Sequence, residues 1–427
     1  MKTSSTILLA LTGTALTGTA LAQGPLTAPP GIPGPEMKSF QQIWDKIGGL
    51  ETQVAAQQAT IQQQTMLITT LTAGGTTPDW IISNIAGQAE AQPASSLAFS
   101  PSGAPAVCYT HRYPSPSGND NGVVFMEMVQ GSWIRTTIDE GTGGSLTFAP
   151  DGSPVVAYVK AGRIYYAART AGAWQVELVS TVPLNSTFPE LGSVAFSPAG
   201  NVGIAYQDPT SPTTQVYVVE KSGAIWGAPV AVPNPPGSES IALNQGRPRL
   251  AYHSDGTAYV ATGTQGLVFL ATRTGEVWNS SVVAGLSNIP SFGHPGLAIA
   301  PSGTASLIFG RSGGNPKFTS APTFTISDAI APANGLVTLS KWASVAYSPT
   351  GQLGYAFHAN VNFGYNTNGQ SAPSDSGVRF AKAGERGSIV ALGDSSDISL
   401  AFAPNGKAWI IFYDATGDRV RLAVQNY

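Results

Sequence analysis

The sequence predicts an all-β protein, a seven-bladed β-propeller closed by an N-terminal strand and preceded by an α-helical coiled-coil segment. Three observations lead to this fold class: a phrase that recurs seven times, a strand-like segment ahead of its first copy, and an N-terminal stretch with heptad spacing. Recurrence every 20–50 residues or so is the signature of stacked supersecondary units.

The recurring phrase is typified by SLAFSPSGAPAVCY, which begins at Ser96. The alternation that places Leu97 and Phe99 on one face favours a strand, and Pro101 with Gly103 suits a tight turn. Each copy therefore predicts a β-hairpin. The copies are separated by 49, 48, 47, 56, 48 and 55 residues and start at Ser96, Ser145, Ser193, Ser240, Gly296, Ser344 and Ser399.

Each repeat holds two more predicted strands. The third follows a loop of varying length, and in four repeats the fourth begins at a tryptophan placed shortly after a glycine: Trp133, Trp174, Trp226 and Trp278. In repeats five and six, residues 323–326 and 388–392 take that place. Four antiparallel strands in about 40–50 residues match a propeller blade. An open β-solenoid is the alternative, although its coils are usually shorter.

The seventh repeat ends after its third strand. Residues 80–85 read WIISNI and resemble WIRTTI at residues 133–138, the fourth strand of the first repeat. We therefore expect the N-terminal strand to complete the last blade. Such closure removes the exposed strand edges that an open stack would leave.

The N-terminal residues predict export. Residues 1–22 combine Lys2, an apolar run and a small-residue site at Ala20 and Ala22, as in a secretory signal peptide. Residues 23–37 form a Pro- and Gly-rich leader. The sequence has no later run of about 20 apolar residues, the length that a membrane-spanning helix requires. The expected location is secreted, periplasmic or at the cell surface.

Residues 38–72 have the spacing of a coiled coil. Apolar residues and two glutamines step alternately by three and four: Phe40, Ile43, Ile47, Leu50, Val54, Gln57, Ile61, Gln64, Ile68 and Leu71. Such a seam predicts a homo-oligomer, for which we take a trimer as the working number. One amphipathic helix packed on the propeller is the alternative. Residues 73–79 then link this segment to the propeller at residues 80–427.

Composition argues against several classes of function. The chain has 21 basic and 24 acidic residues and no basic run interleaved with aromatics, so we expect no nucleic-acid partner. Its one cysteine, Cys108, matches alanine in other repeats and is read as a small buried strand residue. No paired Cys/His spacing or nucleotide-binding loop occurs, so no metal, cofactor or catalytic residue is assigned.

The glycine–tryptophan turns carry a family resemblance. Gly131 with Trp133, and Gly172 with Trp174, retain two residues of the pattern S-x-D-x-G-x-T-W. In this respect the chain resembles secreted bacterial β-propeller repeat proteins with degenerate Asp-boxes, built like sialidase blades. The Asp of the pattern is missing here. The resemblance implies blade construction and no inherited activity, because the Asp-box is itself a structural element. The sialidase arginine cluster, Tyr–Glu pair and general acid are not placed on particular residues.

Candidate ligand-binding residues fall in the loops between strands two and three and between blades. Antiparallel strands bring these loops to one face, here called the loop face, and put the short hairpin turns on the opposite turn face. Variable loops on a rigid scaffold commonly carry binding sites. All four histidines are predicted there. The candidates are His111, Arg112, Tyr113, His253, Asp255, His294, Arg311, His358, Asn360, Tyr365, Tyr413 and Asp414.

These features predict a secreted or envelope-associated binding protein. Aromatic and amide side chains suit a glycan, a protein ligand is equally compatible with a loop surface, and an oligomeric stalk would add avidity. One alternative is a secreted carbohydrate-active hydrolase or lyase, a sialidase-like propeller with acids in the same loops. Another is an envelope structural protein without a small ligand.

Overall fold

The computed structural model describes most of the region predicted to be the propeller. The described residues are Val54, Gln57, 79–86, 91–115, 118–179, 191–208, 215–236, 247–263, 268–283, 295–309, 317–323, 325–328, 336–362, 377–383, 385 and 388–426. All belong to one compact unit, Val54–Tyr427. The predicted signal peptide and leader lie outside the described residues, as does the predicted coiled coil apart from Val54 and Gln57. Among the described helical residues, none forms a helix long and apolar enough to cross a membrane.

The described residues form 29 strands in seven antiparallel sheets. The first strand is β1 (Trp80–Ala86). Blade one holds β2 (Ala91–Phe99), β3 (Pro105–Ser115), β4 (Gly118–Val129) and β5 (Ser132–Glu140), and blade two holds β6 (Thr142–Phe148), β7 (Pro154–Lys160), β8 (Arg163–Thr170) and β9 (Ala173–Leu178). Blade three holds β10 (Leu191–Phe196), β11 (Val202–Asp208), β12 (Gln215–Ser222), β13 (Ile225–Trp226) and β14 (Val230–Val232).

The remaining blades follow the same order. Blade four holds β15 (Arg249–Tyr252), β16 (Ala258–Gly263), β17 (Val268–Thr274) and β18 (Val277–Val282), and blade five holds β19 (Gly296–Ile299), β20 (Ala305–Phe309), β21 (Lys317–Ser320) and β22 (Ser327–Asp328). Blade six holds β23 (Leu336–Tyr347), β24 (Leu353–Asn362), β25 (Gly377–Lys382) and β26 (Ser388–Leu392), and blade seven holds β27 (Ser395–Phe402), β28 (Ala408–Asp414) and β29 (Arg419–Gln425).

The ring closes as the sequence predicts. β1 pairs antiparallel with β29, from Trp80 opposite Gln425 to Ala86 opposite Val420, and becomes the fourth strand of blade seven. The first strand of each blade packs beside that of the next, and β27 packs beside β2. The seven-bladed propeller fold is therefore confirmed, and the open solenoid is excluded. In blade five the fourth strand is Ser327–Asp328, so the predicted segment 323–326 was placed too early.

The serine that opens the phrase joins neighbouring blades. Its side-chain oxygen accepts a hydrogen bond from the backbone N–H of the next blade's first strand. The pairs are Ser96 with Leu146, Ser145 with Val194, Ser193 with Leu250, Ser344 with Leu400 and Ser399 with Leu97, at 2.6–3.2 Å. The bond from Ser399 to Leu97 spans the closure between blades seven and one.

The sequence alignment of repeat four was wrong. The structure starts its first strand at Arg249, and the turn covers residues 253–256, where His253 N–H donates to Thr257 O and Gly256 N–H to His253 O. The same bonds close the first turn, from Ser100 to Ala104 and from Gly103 to Ser100. Repeat four lacks the turn proline, so the proline-based pattern gave the wrong register. Its phrase is RLAYHSDGTAYVAT, and Arg249 takes the place of the opening serine.

Cys108 is a packing residue, as predicted. Its side chain is fully buried in β3, and burial raises the pKa of the thiol well above its usual range. A Cβ atom built on Gly144 in blade two would lie 2.2 Å from the sulfur. The small residues on the two strands therefore allow blades one and two to approach closely.

Ion pairs at the turn face also connect the blades. Arg169 pairs with Glu127, Lys221 with Glu177, and Arg273 with Glu220, and each pair joins consecutive blades. Glu220 also accepts a hydrogen bond from the Tyr252 hydroxyl. Burial alone would raise the pKa of Glu220, but the hydrogen bonds from Arg273 and Tyr252 and the charge of Arg273 outweigh it and lower that pKa.

We expect Glu220→Gln to be less stable than the parent by about 1–2 kcal/mol near neutral pH, because it removes one partner of a partly buried ion pair. A lowered folded-state pKa means that the stabilisation is complete above the unfolded carboxyl pKa, about 4.3, and is lost as pH falls through the folded-state value. Urea midpoints measured from pH 7 to pH 3 should therefore converge for the two proteins. Glu385→Gln, at an exposed site, serves as the charge-matched control; parallel curves for Glu220→Gln and the parent would contradict the assignment.

Candidate functional site

Five of the predicted residues converge on one sector of the loop face. His111 and Arg112 lie near the end of β3, His358 lies in β24, and Tyr413 and Asp414 end β28. Second strands run toward the loop face, so all five lie near that face in blades one, six and seven. These blades are consecutive because β27 packs beside β2.

Asp414 organises the turn that follows β28. Its buried carboxylate accepts hydrogen bonds from Gly417 N–H at 3.0 Å, Arg419 Nε at 3.1 Å and Arg421 Nη1 at 3.3 Å. Three donors on one buried carboxylate fix the loop between β28 and β29, since losing any of them would leave a buried charge less well satisfied. Asp414 is therefore a positioning residue for this turn.

Tyr413 and Asp418 form the accessible part of the same turn. The Tyr413 hydroxyl donates to Asp418 Oδ1 at 2.6 Å, and Asp418 has a φ of +48°, in the left-handed region. Burial and the hydrogen bond to Asp418 raise the pKa of Tyr413 to about 12, and the positive charge of Arg112 opposes them. The charge of Arg112 in blade one therefore acts on Tyr413 in blade seven. We call Arg112, Tyr413, Asp414, Asp418 and Arg419 the blade-seven cluster.

His358 adjoins this cluster through the crossing from blade six. The side chain is buried, its Nε2 lies 3.6 Å from Asp394 Oδ1, and burial lowers its pKa although the charge of Asp394 opposes this. Asp394 in turn contacts the blade-seven turn, since its N–H donates to Thr416 Oγ1 at 3.2 Å and its carbonyl accepts from Ala415 N–H at 2.9 Å. His358 is therefore a buried neighbour of the cluster.

The structure places His253 and Asp255 on the opposite face. Both belong to the turn between β15 and β16, where Nδ1 of His253 lies 2.9 Å from Asp255 Oδ1. The hydrogen bonds from the N–H and then the side chain of Thr257, followed by that from His253, lower the pKa of Asp255 to about 2. The prediction that these two residues share the loop face was wrong, because it followed from the misaligned fourth repeat.

The remaining candidates are described in part or not at all. Tyr113 and Asn360 occupy backbone positions in β3 and β24 toward the loop face. His294, Arg311 and Tyr365 lie outside the described residues.

The sequence analysis missed a second group, in the central channel. Arg247 Nη1 of blade four lies 2.5 Å from Asp397 Oδ1 of blade seven. These blades are three apart in a ring of seven, so this ion pair spans the channel that the first strands surround. The charges of Arg247 and Asp397 both act on Arg249. We call Arg247, Arg249 and Asp397 the channel cluster. Arg249 stands where other repeats have the opening serine, and this difference could have indicated the channel cluster. The wrong alignment of repeat four prevented us from recognising it.

The carboxylates of these two clusters already have partners. Asp414 and Asp397 are bound by arginines, and Asp418 accepts from Tyr413. Within the ranges that the structure describes, no three side chains of His, Cys, Asp and Glu are grouped so as to hold a metal ion. The arrangement offers fixed hydrogen-bond donors and acceptors with an aromatic ring, which are the elements of polar recognition.

Comparison with known proteins adds only distant likenesses. No protein-family model matches the chain, and no curated protein matches it. Among solved structures, it is similar to a Dyadobacter fermentans protein of unknown function, with 13% identity, coverage of 71% of this chain and 98% of that chain, and a TM-score of 0.46. It is also similar to Penicillium chrysogenum α-L-arabinanase, with 10% identity, coverage of 81% of this chain and 98% of that chain, and a TM-score of 0.47. A third similar structure is the K499G mutant of NanB sialidase from Streptococcus pneumoniae, with 11% identity, coverage of 82% of this chain and 71% of that chain, and a TM-score of 0.43. Similarity at this level does not assign an activity.

Proposed function

We propose that this protein is a binding propeller that recognises a glycan on its loop face, at the blade-seven cluster. One observation carries the proposal: the charge of Arg112 acts on Tyr413 where blades seven and one meet, although the two residues come from opposite ends of the described propeller sequence. A recognition site assembled across a closure contact depends on the intact ring. A hydrogen bond from Leu97 N–H to Ser399 Oγ connects the same two blades.

The chemistry of this cluster suits a sugar. Tyr413 presents a partly exposed ring for stacking on a sugar face, and Asp418 and Arg112 supply a carboxylate acceptor and a guanidinium donor beside it. The three donors on Asp414 hold the turn in place before any ligand arrives. Such preorganisation reduces the entropic cost of binding.

We also propose export through residues 1–22 and assembly through the heptad segment at residues 38–72. Fourth strands run from the turn face to the loop face, and β1, the fourth strand of blade seven, begins at Trp80. The chain therefore enters β1 at the turn face, a direction compatible with display of the loop face on such a segment. An oligomer would present several loop faces and gain avidity.

A glycan array probed with the mature protein and with Arg112→Ala tests the proposal. We expect the parent to bind a defined glycan class and Arg112→Ala to lose affinity at least about ten-fold, because a charged donor is removed. Arg163→Ala is the matched control, since Arg163 is exposed and begins a third strand near the loop face of blade two. A blank array, with binding to envelope proteins instead, would show that the ligand is a protein.

One observation favours a second candidate, a carbohydrate-active hydrolase. The Tyr413–Asp418 hydrogen bond pairs a phenol with a carboxylate that is able to take its proton, as a tyrosine nucleophile requires. The raised pKa of Tyr413 makes the phenolate costly to form. This candidate predicts turnover of a fluorogenic glycoside panel that is lost in Asp418→Asn, whereas the binding proposal predicts no turnover.

A further inference from the structure

The channel cluster contains Arg249, at a position where five other blades have a serine that bonds to the next blade. In those blades the opening serine accepts a backbone N–H from the next blade, whereas blade four has Arg249 and blade five has Gly296 at that position. A guanidinium has no acceptor, so Arg249 cannot form the same inter-blade bond. Departures from an internally consistent pattern concentrate at functional sites.

Arg249 is half-buried, and Asp397 is the described carboxylate whose charge acts on it. Burial, followed by the repulsion of Arg247, lowers its pKa to about 10, which still leaves it charged at neutral pH. Among the residues that the structure describes, none forms a hydrogen bond or an ion pair with its guanidinium. A partly desolvated charge that forms no hydrogen bond is costly unless something compensates it.

The one described carboxylate of the cluster is committed to the other arginine. Asp397 Oδ1 lies 2.5 Å from Arg247 Nη1, its side chain is 1% exposed, and its Oδ2 accepts from the Ser396 hydroxyl at 3.3 Å. Its φ of +48° is unusual for a residue other than glycine, and it lies in the bulge between Ser396 and Ser399. Two arginines therefore face one carboxylate, and the three described side chains carry one net positive charge.

We propose that Arg249 and Arg247 form an anion site at the loop-face mouth of the central channel, which takes one oxyanion: a carboxylate, a sulfate or a phosphate. Arg249 supplies the charge that the ligand neutralises, and the planar guanidinium forks match oxyanion geometry. Asp397 holds Arg247 in position from across the channel. The site is separate from the blade-seven cluster, so it does not depend on glycan recognition there.

Calorimetric titration of the mature protein tests this site, with sodium sulfate, sodium phosphate and sodium glucuronate in separate arms at constant ionic strength. We expect saturable binding of at least one of them with one site per chain. The arms identify the preferred source of the oxyanion. Arg249→Ser should weaken that binding at least ten-fold, and Arg249→Lys, which keeps the charge and loses the fork, should weaken it less.

The same variants separate a binding role from a structural one. Serine is the residue that five blades use, so Arg249→Ser should melt at a higher temperature than the parent in anion-free buffer and should lose the stabilisation by the bound anion. Arg135→Ser is the charge-matched control on the exposed side of β5, and it should keep the parent response. The proposal is wrong if the parent binds none of the three anions, if Arg249→Ser binds them equally well, or if Arg135→Ser loses as much.

Discussion

Replacing Trp80 by alanine is expected to reduce the stability of the propeller by about 3–5 kcal/mol, the range for deleting a buried aromatic side chain. Trp80 opens the strand that closes the ring and is only 5% exposed. Its ring packs edge-on against Phe380 of blade six with centroids 5.2 Å apart, and its Nε1 donates to Ser388 Oγ at 3.4 Å. One side chain therefore joins the closing strand of blade seven to the sheet of blade six.

Urea denaturation followed by tryptophan fluorescence and by limited proteolysis measures this effect. Trp80→Ala should lower the unfolding midpoint, and cleavage should begin near the closing strand because local opening there precedes global unfolding. Ile134→Ala is the control, at an exposed position of β5, the fourth strand of blade one; it should change stability by less than about 0.5 kcal/mol. Equal midpoints for Trp80→Ala and the parent would mean that the closing strand contributes little.

Gly192→Ala is expected to destabilise the protein by about 3 kcal/mol, at the upper end of the usual cost of overpacking. A Cβ atom at Gly192 would lie 2.3 Å from the carbonyl oxygen of Pro248 and 2.4 Å from that of Ala205. Both are backbone atoms, so a rotamer change cannot relieve the clash. The strand β10 would have to move away from blade four, near the bond that Leu250 N–H donates to Ser193 Oγ at 2.6 Å.

Gly227→Ala is the matched control for this substitution. A Cβ atom there would meet only Glu220 O, at 3.4 Å, and its backbone is outside the left-handed region. We expect this variant to unfold within about 0.5 kcal/mol of the parent. If thermal unfolding shows the two alanine variants to be equally stable, the close approach of blades three and four is not needed for the fold.

Blade construction was predictable because the residues that build it repeat. A local pattern predicts the strand and the hairpin: Leu97 and Phe99 alternate with other residues, and Pro101 and Gly103 suit the turn. Because the phrase occurs seven times, a copy that deviates from the pattern does not obscure it. Closure was predictable for the same reason, since residues 80–85 copy a fourth strand. Where one repeat lost its signal the prediction failed: repeat four has Ser254 in place of the turn proline, and its register was misplaced.

The candidate site was less predictable because it rests on contacts that no local pattern encodes. Arg112 and Tyr413 were selected as loop residues, but the effect of the Arg112 charge on Tyr413 depends on ring closure. The Tyr413–Asp418 bond requires Asp418 in the left-handed region, which the sequence does not signal. The ion pair between Arg247 and Asp397 joins residues 150 positions apart across the channel.

Hydrogen exchange of the protein with and without its array-selected glycan tests the central claim most directly. The account predicts protection at the loop face where blades seven and one meet, at residues 110–112 and 413–419, and no change at the turn-face segments 100–104 and 253–257. Protection confined to those turns, or spread evenly over the blades, would contradict the assignment of ligand binding to the blade-seven cluster.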